Sequence, residues 1–206
     1  MACRAVIFDV GGVVVGSPLH AIAAYEREHG IPPGVINRVV VDTAPAGAWS
    51  RLERGELTLE QFYPAFDADC AAAGHTISAR EMMLRVAEYV APRPPMLDAI
   101  RCIRARRLLV GAITNNWVVE EGGTSALRSH FDVFIESAVV GIRKPDPRIF
   151  HLACEELGVT PHESVFLDDI GLNLKAARAL GMTTIKVERV DVALAELQAV
   201  LGFPLS

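Results

Sequence analysis

Lysine and cysteine are scarce in this chain, and long apolar runs are absent. Lysine accounts for only three of its 20 basic residues. The cysteines contain no CxxC pair, so the sequence predicts neither a zinc site nor a redox motif, and reduced structural thiols are favoured. No apolar run approaches the roughly 20 residues of a membrane helix. The four cysteines are Cys3, Cys70, Cys102 and Cys154.

The charge balance is weakly negative, with a net charge of -5 and a pI near 5.7. This chain has no basic field to attract nucleic acid, so we expect no nucleic-acid partner. The apolar stretch at the N-terminus is stopped by Asp9 and is too short for a signal peptide. We therefore expect a cytoplasmic protein without a membrane partner. The sequence leaves open whether it is a monomer or a homodimer.

Short apolar runs rich in β-branched residues alternate with helical patterns along most of the 206 residues. This alternation predicts a Rossmann-like, doubly wound α/β fold, in which helices cover both faces of a parallel sheet. Helices are expected over 96–107, from Pro147 with Asp146 as N-cap, and from about Asn173. The predicted strands are residues 5–9, 108–114, 132–136, 164–167 and 183–187.

The stretch 16–93 has helical patterns with no convincing strand between them. Ser17 stands at the start of one predicted helix, and capping boxes begin at Thr58 and Ser78. The stretch therefore indicates an all-helical cap inserted after the first strand. The predicted division is a core domain from residues 1–15 and 94–206, and a cap subdomain from residues 16–93.

Polar residues follow several of the predicted strands. They are Asp9, the pair Thr114 and Asn115, Lys144, and the pair Asp168 and Asp169. Ligands of a parallel α/β sheet bind beyond the carboxyl ends of the strands, so we expect these side chains to meet. Carboxylates alone would repel one another, whereas a divalent cation plus a phosphate group would satisfy all of these groups.

Four of these segments resemble the ordered motifs of the haloacid-dehalogenase-like hydrolase superfamily. They are FDVGGV at 8–13, ITN at 113–115, RKPDP at 143–147 and FLDD at 166–169. Within that superfamily, the chain is most similar to the N-terminal phosphatase domain of soluble epoxide hydrolases and to related domains of acyl-CoA-dehydrogenase-like proteins. This narrower resemblance is carried by RGELT at 54–58, PML at 95–97, FD at 131–132, IES at 135–137 and DDIGLNLK at 168–175.

The resemblance implies a phosphatase that works through a covalent intermediate. Asp9 would attack phosphorus and form an aspartyl-phosphate, which divides one hard displacement into two easier ones. Thr114 would also orient that nucleophile, and Lys144 would neutralise the nucleophile and the transferring group. The substrate would be a small phosphate ester or an acyl or lipid phosphate. The residues expected to contact its phosphate are Thr114, Asn115, Lys144, Gly11 and Gly12.

The same resemblance implies that Mg²⁺ is the cofactor. Asp9 and Asp169 would bind it directly, and Asp168 would act mainly through metal-bound water. The Gly11 backbone carbonyl and further waters would complete an octahedron. Asn173, one helical turn beyond Asp169, is a supporting residue that could reach Lys144 or an acid of the pair.

Gly11 departs from the family pattern. Resembling phosphatases commonly carry Asp-x-Asp in the first motif, and the second carboxylate protonates the leaving oxygen. General acid-base catalysis is worth roughly 10² to 10⁴ in rate, so a glycine here predicts weak turnover. Other members with glycine at this position include sugar-phosphate phosphatases. The alternative is a binding or regulatory protein that keeps the fold and the metal but has lost catalysis.

Two other reactions of the superfamily fit less well. Dehalogenation of 2-haloacids uses no metal, and dehalogenases carry a serine-rich fourth motif where this chain has Asp168 and Asp169. Phosphonate cleavage would need a lysine in the helical insertion, and residues 16–93 contain none. Substrate choice is open. The aromatic residues Phe62, Tyr63 and Phe66 have the spacing of a helical core face, which we favour over a pocket lining.

Overall fold

A parallel β-sheet forms the centre of the molecule in the computed structural model, which describes residues 3–88, 91–119 and 125–205. Its strands within those ranges are β1 (Ala5–Phe8), β2 (Leu109–Thr114), β3 (Val133–Glu136), β4 (Ser164–Asp168) and β5 (Thr183–Lys186). They lie in the order β3-β2-β1-β4-β5, and every neighbouring pair is parallel. The predicted parallel sheet is confirmed.

Both faces of the sheet are buried, which explains why β1 is uniformly apolar. Val6 and Phe8 point into one hydrophobic cluster, and Ala5 and Ile7 point into another on the opposite face. All four residues are 0% exposed. This alternation follows from the two-residue period of a strand. Burial of each large apolar side chain contributes roughly 1.5–3 kcal/mol, so the central strand is a rigid support for the residue that follows it.

Helices cover the two faces of the sheet, as the doubly wound prediction requires. Asp146 caps one of them by accepting a hydrogen bond from the Arg148 N–H, as predicted. Another helix, predicted over 96–107, begins earlier, at Pro94, because proline fits the first helical turn. The core helices are α6 (Pro94–Ala105), α7 (Ser137–Val140), α8 (Pro147–Leu157), α9 (Gly171–Ala179) and α10 (Val190–Leu201). The labels α1 to α5 belong to five helices that come earlier in the chain.

Those five helices lie between β1 and α6, in the stretch predicted to be all helical. They are α1 (Pro18–Glu28), α2 (Val35–Asp42), α3 (Ala48–Glu53), α4 (Leu59–Ala72) and α5 (Ala79–Glu88). They share a separate hydrophobic cluster in which Phe62 and Phe66 are 0% exposed and stacked at 5.2 Å. The core role favoured for these two aromatics is therefore the one observed. We call α1–α5 the helical segment.

Capping explains where two helices of the segment begin. Thr58 forms the predicted capping box with Gln61 at the start of α4. The Ser78 hydroxyl accepts a hydrogen bond from the Glu81 N–H at 3.3 Å, which is one half of the second predicted box. Ser17 is the N-cap residue of α1, but its side chain makes no capping hydrogen bond there.

The two chain crossings between core and helical segment lie side by side. Val15 and Pro92 form an isolated antiparallel bridge. Next to it, the Arg93 N–H donates to the Val14 carbonyl at 2.8 Å. The helical segment is therefore joined to the core by two adjacent, paired stretches of chain, which we call the neck.

The described part of the chain contains no helix with the length and apolar character that a membrane crossing requires. The four cysteines are unpaired, in keeping with the prediction of structural thiols. Burial raises the pKa of the Cys70 thiol to about 12, which makes it a poor nucleophile.

Candidate functional site

The carboxyl ends of the central strands bring the predicted polar residues to one edge of the sheet. Asp9 directly follows β1, Thr114 ends β2, and Asp168 ends β4. All three are buried, at 7%, 3% and 0% exposure. The Asp9 N–H donates to the Leu167 carbonyl at 2.8 Å, which extends the pairing of β1 with β4 to the site itself. The sheet therefore holds both carboxylates rigidly.

Lys144 lies between these two carboxylates. Its Nζ is 2.8 Å from Asp9 Oδ1 and 2.7 Å from Asp168 Oδ2, and the residue is only 1% exposed. Burial opposes the charged ammonium, but the attraction of Asp168 and Asp9 outweighs it, so the pKa of Lys144 is raised. The side chain is therefore a fixed positive charge at the base of the site.

Three carboxylates converge at this edge with more negative charge than one ammonium neutralises. Oxygens of Asp9, Asp168 and Asp169 all lie within 4.8 Å of one another. Burial raises the pKa of Asp9 well above its usual range, and Asp168 and Asp169 raise it further, against the pull of Lys144. Oxygen donors at this spacing are what Mg²⁺ prefers, and a divalent cation would relieve the repulsion. The donor set fits the predicted metal.

Asp168 and Asp169 are adjacent but differ in their surroundings. Asp168 accepts hydrogen bonds from the Ile170 N–H at 2.7 Å and from Asn173 Nδ2 at 3.2 and 3.0 Å, in addition to Lys144. Asp169 accepts one from the Ser17 hydroxyl, at 3.4 Å. Asn173 therefore fixes an acid of the pair, one of its two predicted partners. Asp169 has more lone pairs free for a metal, consistent with its predicted direct role.

The loop after β1 packs tightly against Asp169. Gly12 has φ 78°, and a side chain at this position would overlap Asp169 Oδ2, so glycine is required on both counts. Gly11 has φ −67° and no such restriction. The Arg93 Nη1 donates to the Gly12 carbonyl at 2.8 Å, which holds the loop from the neck of the helical segment.

Asn115 is bonded to the backbone of Lys144 from both sides. Its Oδ1 accepts from the Lys144 N–H at 2.8 Å, and its Nδ2 donates to the Lys144 carbonyl at 3.0 Å. The second amide hydrogen faces Glu53 Oε2, which lies 3.5 Å from Nδ2. The pairing joins the loop after β2 to the loop that carries the lysine, and Thr114 directly precedes Asn115 at the end of β2.

A polar cluster that the sequence did not predict lies beside this site, between α3 and the residue that precedes Lys144. Glu53 on α3 faces Arg143, with 2.5 Å between Oε2 and Nε. The Trp49 indole donates to Glu53 at 2.9 Å, and Arg143 donates to the Ser50 hydroxyl at 2.9 Å. Glu53 directly precedes the RGELT segment, and Arg143 is the first residue of RKPDP. Nothing local in either one indicates that they meet.

The chain is similar to known proteins in both sequence and fold. The sequence model of the haloacid dehalogenase-like hydrolase family matches residues 3–181. The chain is 41% identical over 207 residues to Acyl-CoA dehydrogenase family member 10 of Mus musculus, covering 98% of this chain and 19% of that protein. It is 34% identical over 221 residues to Bifunctional epoxide hydrolase 2 of Sus scrofa, covering 100% of this chain and 40% of that protein.

These two relatives are much longer than the matched region, so the chain corresponds to about a fifth of one and two fifths of the other. Among solved structures, a HAD family enzyme from Bacteroides thetaiotaomicron in complex with magnesium and inorganic phosphate has a TM-score of 0.62. It is 20% identical to this chain, and the match covers 90% of this chain and 94% of that one. At this identity the likeness concerns the fold.

Proposed function

This chain belongs to the haloacid dehalogenase-like hydrolase family, and from that premise we propose that it is a magnesium-dependent phosphatase. Its substrate would be a small phosphate ester, or an acyl or lipid phosphate. The reaction would proceed through an aspartyl-phosphate on Asp9. The proposal includes a small-molecule substrate, a cytoplasmic location and no nucleic-acid or membrane partner.

The observation that carries the proposal is the Lys144 ammonium between Asp9 and Asp168, beside a third carboxylate. A dehalogenase needs a nucleophilic aspartate and a cation, but a pair of acids such as Asp168 and Asp169 has no use in a metal-free reaction at carbon. A phosphatase uses both the ammonium and the extra carboxylates. The ammonium attracts the negatively charged phosphoryl group, and the carboxylates attract the positively charged metal ion.

Asp9 is the proposed nucleophile. Its Oδ1 accepts the Val10 N–H at 2.6 Å and contacts the Lys144 Nζ, so the carboxylate has a defined orientation. A carboxylate oxygen forms the new bond to phosphorus, and the bond to the ester oxygen breaks, with its electron pair leaving on that oxygen. Water then hydrolyses the aspartyl-phosphate, which releases inorganic phosphate and restores Asp9.

The phosphoryl oxygens need hydrogen-bond donors and positive charge. Lys144 supplies the buried charge, and Thr114 supplies a hydroxyl at the end of β2. Asn115 would contribute through its main chain, because its Nδ2 already donates to the Lys144 carbonyl at 3.0 Å and lies 3.5 Å from Glu53 Oε2. The Gly11 and Gly12 backbone borders the site. These groups are fixed by the fold before substrate arrives, so little free energy is spent on arranging them during the reaction.

Mg²⁺ would be held by Asp9, Asp169 and the Gly11 carbonyl, with Asp168 acting through water. The ion supplies Lewis-acid stabilisation of charge on the phosphoryl group. Asn173 keeps Asp168 turned toward Lys144 through two contacts, at 3.2 and 3.0 Å. These residue roles follow the family resemblance, and the acid cluster supports them.

The leaving oxygen has no acid beside it at position 11. A residue without a side chain cannot deliver a proton there, so departure is easiest for oxygens that are stable as anions. Acyl and aryl phosphates should therefore be better substrates than alkyl phosphates. The same glycine favours the second candidate function, a protein that binds magnesium and phosphate without turnover.

One experiment separates these functions. Hydrolysis of an aryl phosphate is measured with and without Mg²⁺, and intact mass is recorded after mixing. We expect magnesium-dependent release of phosphate and a phosphoryl adduct that is lost in the isosteric variant Asp9→Asn. If calorimetry detects binding of magnesium and phosphate while neither hydrolysis nor an adduct is seen, the protein is the binding or regulatory form. Halide release from a 2-haloacid would identify a dehalogenase instead.

A further inference from the structure

Glu53 is a buried carboxylate at the C-terminal end of α3. The residue is 7% exposed, and its Oε1 accepts a hydrogen bond from the Trp49 indole. Its Oε2 lies 2.5 Å from Arg143 Nε and 3.5 Å from Asn115 Nδ2. Burial raises the pKa of Glu53, and Arg143 opposes that shift. A charge removed from water in this way is unfavourable without a partner, and here the partners come from both the helical segment and the core.

Arg143 holds α3 at two points. One is the Glu53 carboxylate, and the other is the Ser50 hydroxyl, which accepts from Nη1 at 2.9 Å. Ser50 and Glu53 are three residues apart and so lie on one face of the helix. The contact with Ser50 is a hydrogen bond, whereas the contact of Nε with Glu53 is an ion pair without hydrogen-bond geometry. Arg143 directly precedes Lys144 in the chain. Its two contacts with α3 therefore also fix the start of residues 143–146, which we call the lysine loop.

Asn115 provides the second connection to the lysine. It contacts Glu53 on one side and pairs with both main-chain groups of Lys144 on the other. Glu53 therefore contacts Arg143, which precedes Lys144 in the chain, and Asn115, which is hydrogen-bonded to the Lys144 main chain. Within the described residues, Glu53 makes no hydrogen bond to Asp9, Asp168 or Asp169, so the carboxylate would act through Arg143 and Asn115.

We propose that Glu53 and Arg143 are a positioning pair that sets the helical segment against the lysine loop, so that the Lys144 ammonium meets Asp9 at bonding distance. The inference rests on the proposed function, because its kinetic test measures phosphoryl transfer. A buried ion pair contributes little net stability compared with apolar residues of the same size. We therefore expect the pair to matter for the position of Lys144 more than for the free energy of unfolding.

The positioning role predicts a split between the kinetic constants. Displacement of a catalytic group by about 1 Å can cost roughly 10² in rate. We expect Glu53→Gln and Arg143→Ala, each made in the full chain, to lower kcat for an aryl phosphate about 10-fold to 10²-fold. KM should change by less than kcat, because a misplaced lysine weakens the transition state more than the first encounter.

Chemical rescue distinguishes positioning from general destabilisation. The Arg143 side chain is 21% exposed, so solvent reaches the gap that Arg143→Ala leaves. Millimolar methylguanidinium should restore part of kcat in this variant and none in Glu53→Gln. The matched control is Glu28→Gln, which removes an exposed ion pair with Arg85 inside the helical segment and should leave kcat unchanged. Arg143→Lys replaces Arg143→Ala if the alanine variant does not fold.

The failure of this pair and the failure of the proposed function have different signatures. If the wild-type chain hydrolyses aryl phosphates and both variants match its kcat, the positioning pair is wrong. If the wild-type chain is inactive, the proposed function fails, and the pair is tested by calorimetry with tungstate and Mg²⁺. Lys144 and Asn115 would still meet that oxyanion, so weaker binding in both variants supports the pair and equal affinity overturns it.

Discussion

The loop after β1 has room for a carboxylate at residue 11, and the substitution Gly11→Asp tests the chemistry of the site directly. Gly11 has φ −67° and ψ 127°, which any L-residue adopts. The nearest neighbours of an added Cβ are the Pro18 ring carbons at 3.5 and 3.8 Å, an ordinary contact. Loss of glycine freedom in the unfolded chain favours the variant by about 0.4–1 kcal/mol, and repulsion from the nearby carboxylates opposes it. We therefore expect the variant to fold.

The magnitude of the gain follows from the chemistry of the leaving group. A positioned general acid contributes about 10² to 10⁴ in rate, equivalent to about 3–5 kcal/mol of barrier. An alkoxide needs that proton to depart, whereas an aryl oxide needs it far less. We expect Gly11→Asp to raise kcat for an alkyl phosphate by about 10² and for an aryl phosphate by less than about tenfold. The dependence of rate on leaving-group acidity should become shallower.

The assay measures phosphate release from a series of alkyl and aryl phosphates at saturating Mg²⁺. Gly11→Asn is the matched control, because an amide has the size of the carboxylate but does not transfer a proton, and it should not gain activity on alkyl phosphates. If Gly11→Asp hydrolyses alkyl phosphates no faster than the wild-type chain, another group already supplies the proton, and our reading of the glycine is wrong.

Gly12→Ala should lower the Tm and weaken magnesium affinity, because a left-handed residue costs roughly 1–2 kcal/mol and the new methyl group would displace Asp169. Thermal unfolding and calorimetry check this against Gly11→Ala, and equal Tm values would contradict it. Burial raises the pKa values of Asp9 and Asp169, so the metal-free folded chain keeps protons that the unfolded chain loses, and its stability falls as pH rises through these values. Mg²⁺ displaces those protons, so its stabilising effect on Tm should be larger at about pH 8 than at about pH 5; the same increment at both would count against the metal site.

The sheet could be predicted because each strand is a local apolar run between helices. All five predicted strands differ from the observed ones by one residue at one end. The strand predicted to end at residue 167 includes Asp168, because the Asp168 carbonyl accepts the Val187 N–H at 3.0 Å. The strand order was outside prediction, because it depends on pairing between residues more than 100 positions apart, such as Ala5 with Leu109.

The site was predictable to the extent that it follows strand ends. The fold brings Asp9 and Lys144 together as expected, and it selects Asp168 over Lys144 as the partner of Asn173. Ser17 was predicted only as a helix cap, and its hydroxyl is instead directed to Asp169. The contact between Glu53 and Arg143 joins residues 90 positions apart. It depends on how the helical segment docks, which no local pattern encodes.

The neck formed by Val15 and Pro92 has a consequence for how such a chain can change over time. Because the two crossings are adjacent, the whole intervening stretch can be shortened, lengthened or exchanged while the sheet order and the acid cluster stay as they are. The ion pair between Glu53 and Arg143 limits such an exchange, because it joins α3 to the residue that precedes Lys144. A recombinant that joins this core to another helical insert at these two positions would therefore keep the acid cluster, but it would need an acid in the new insert to replace the partner of Arg143.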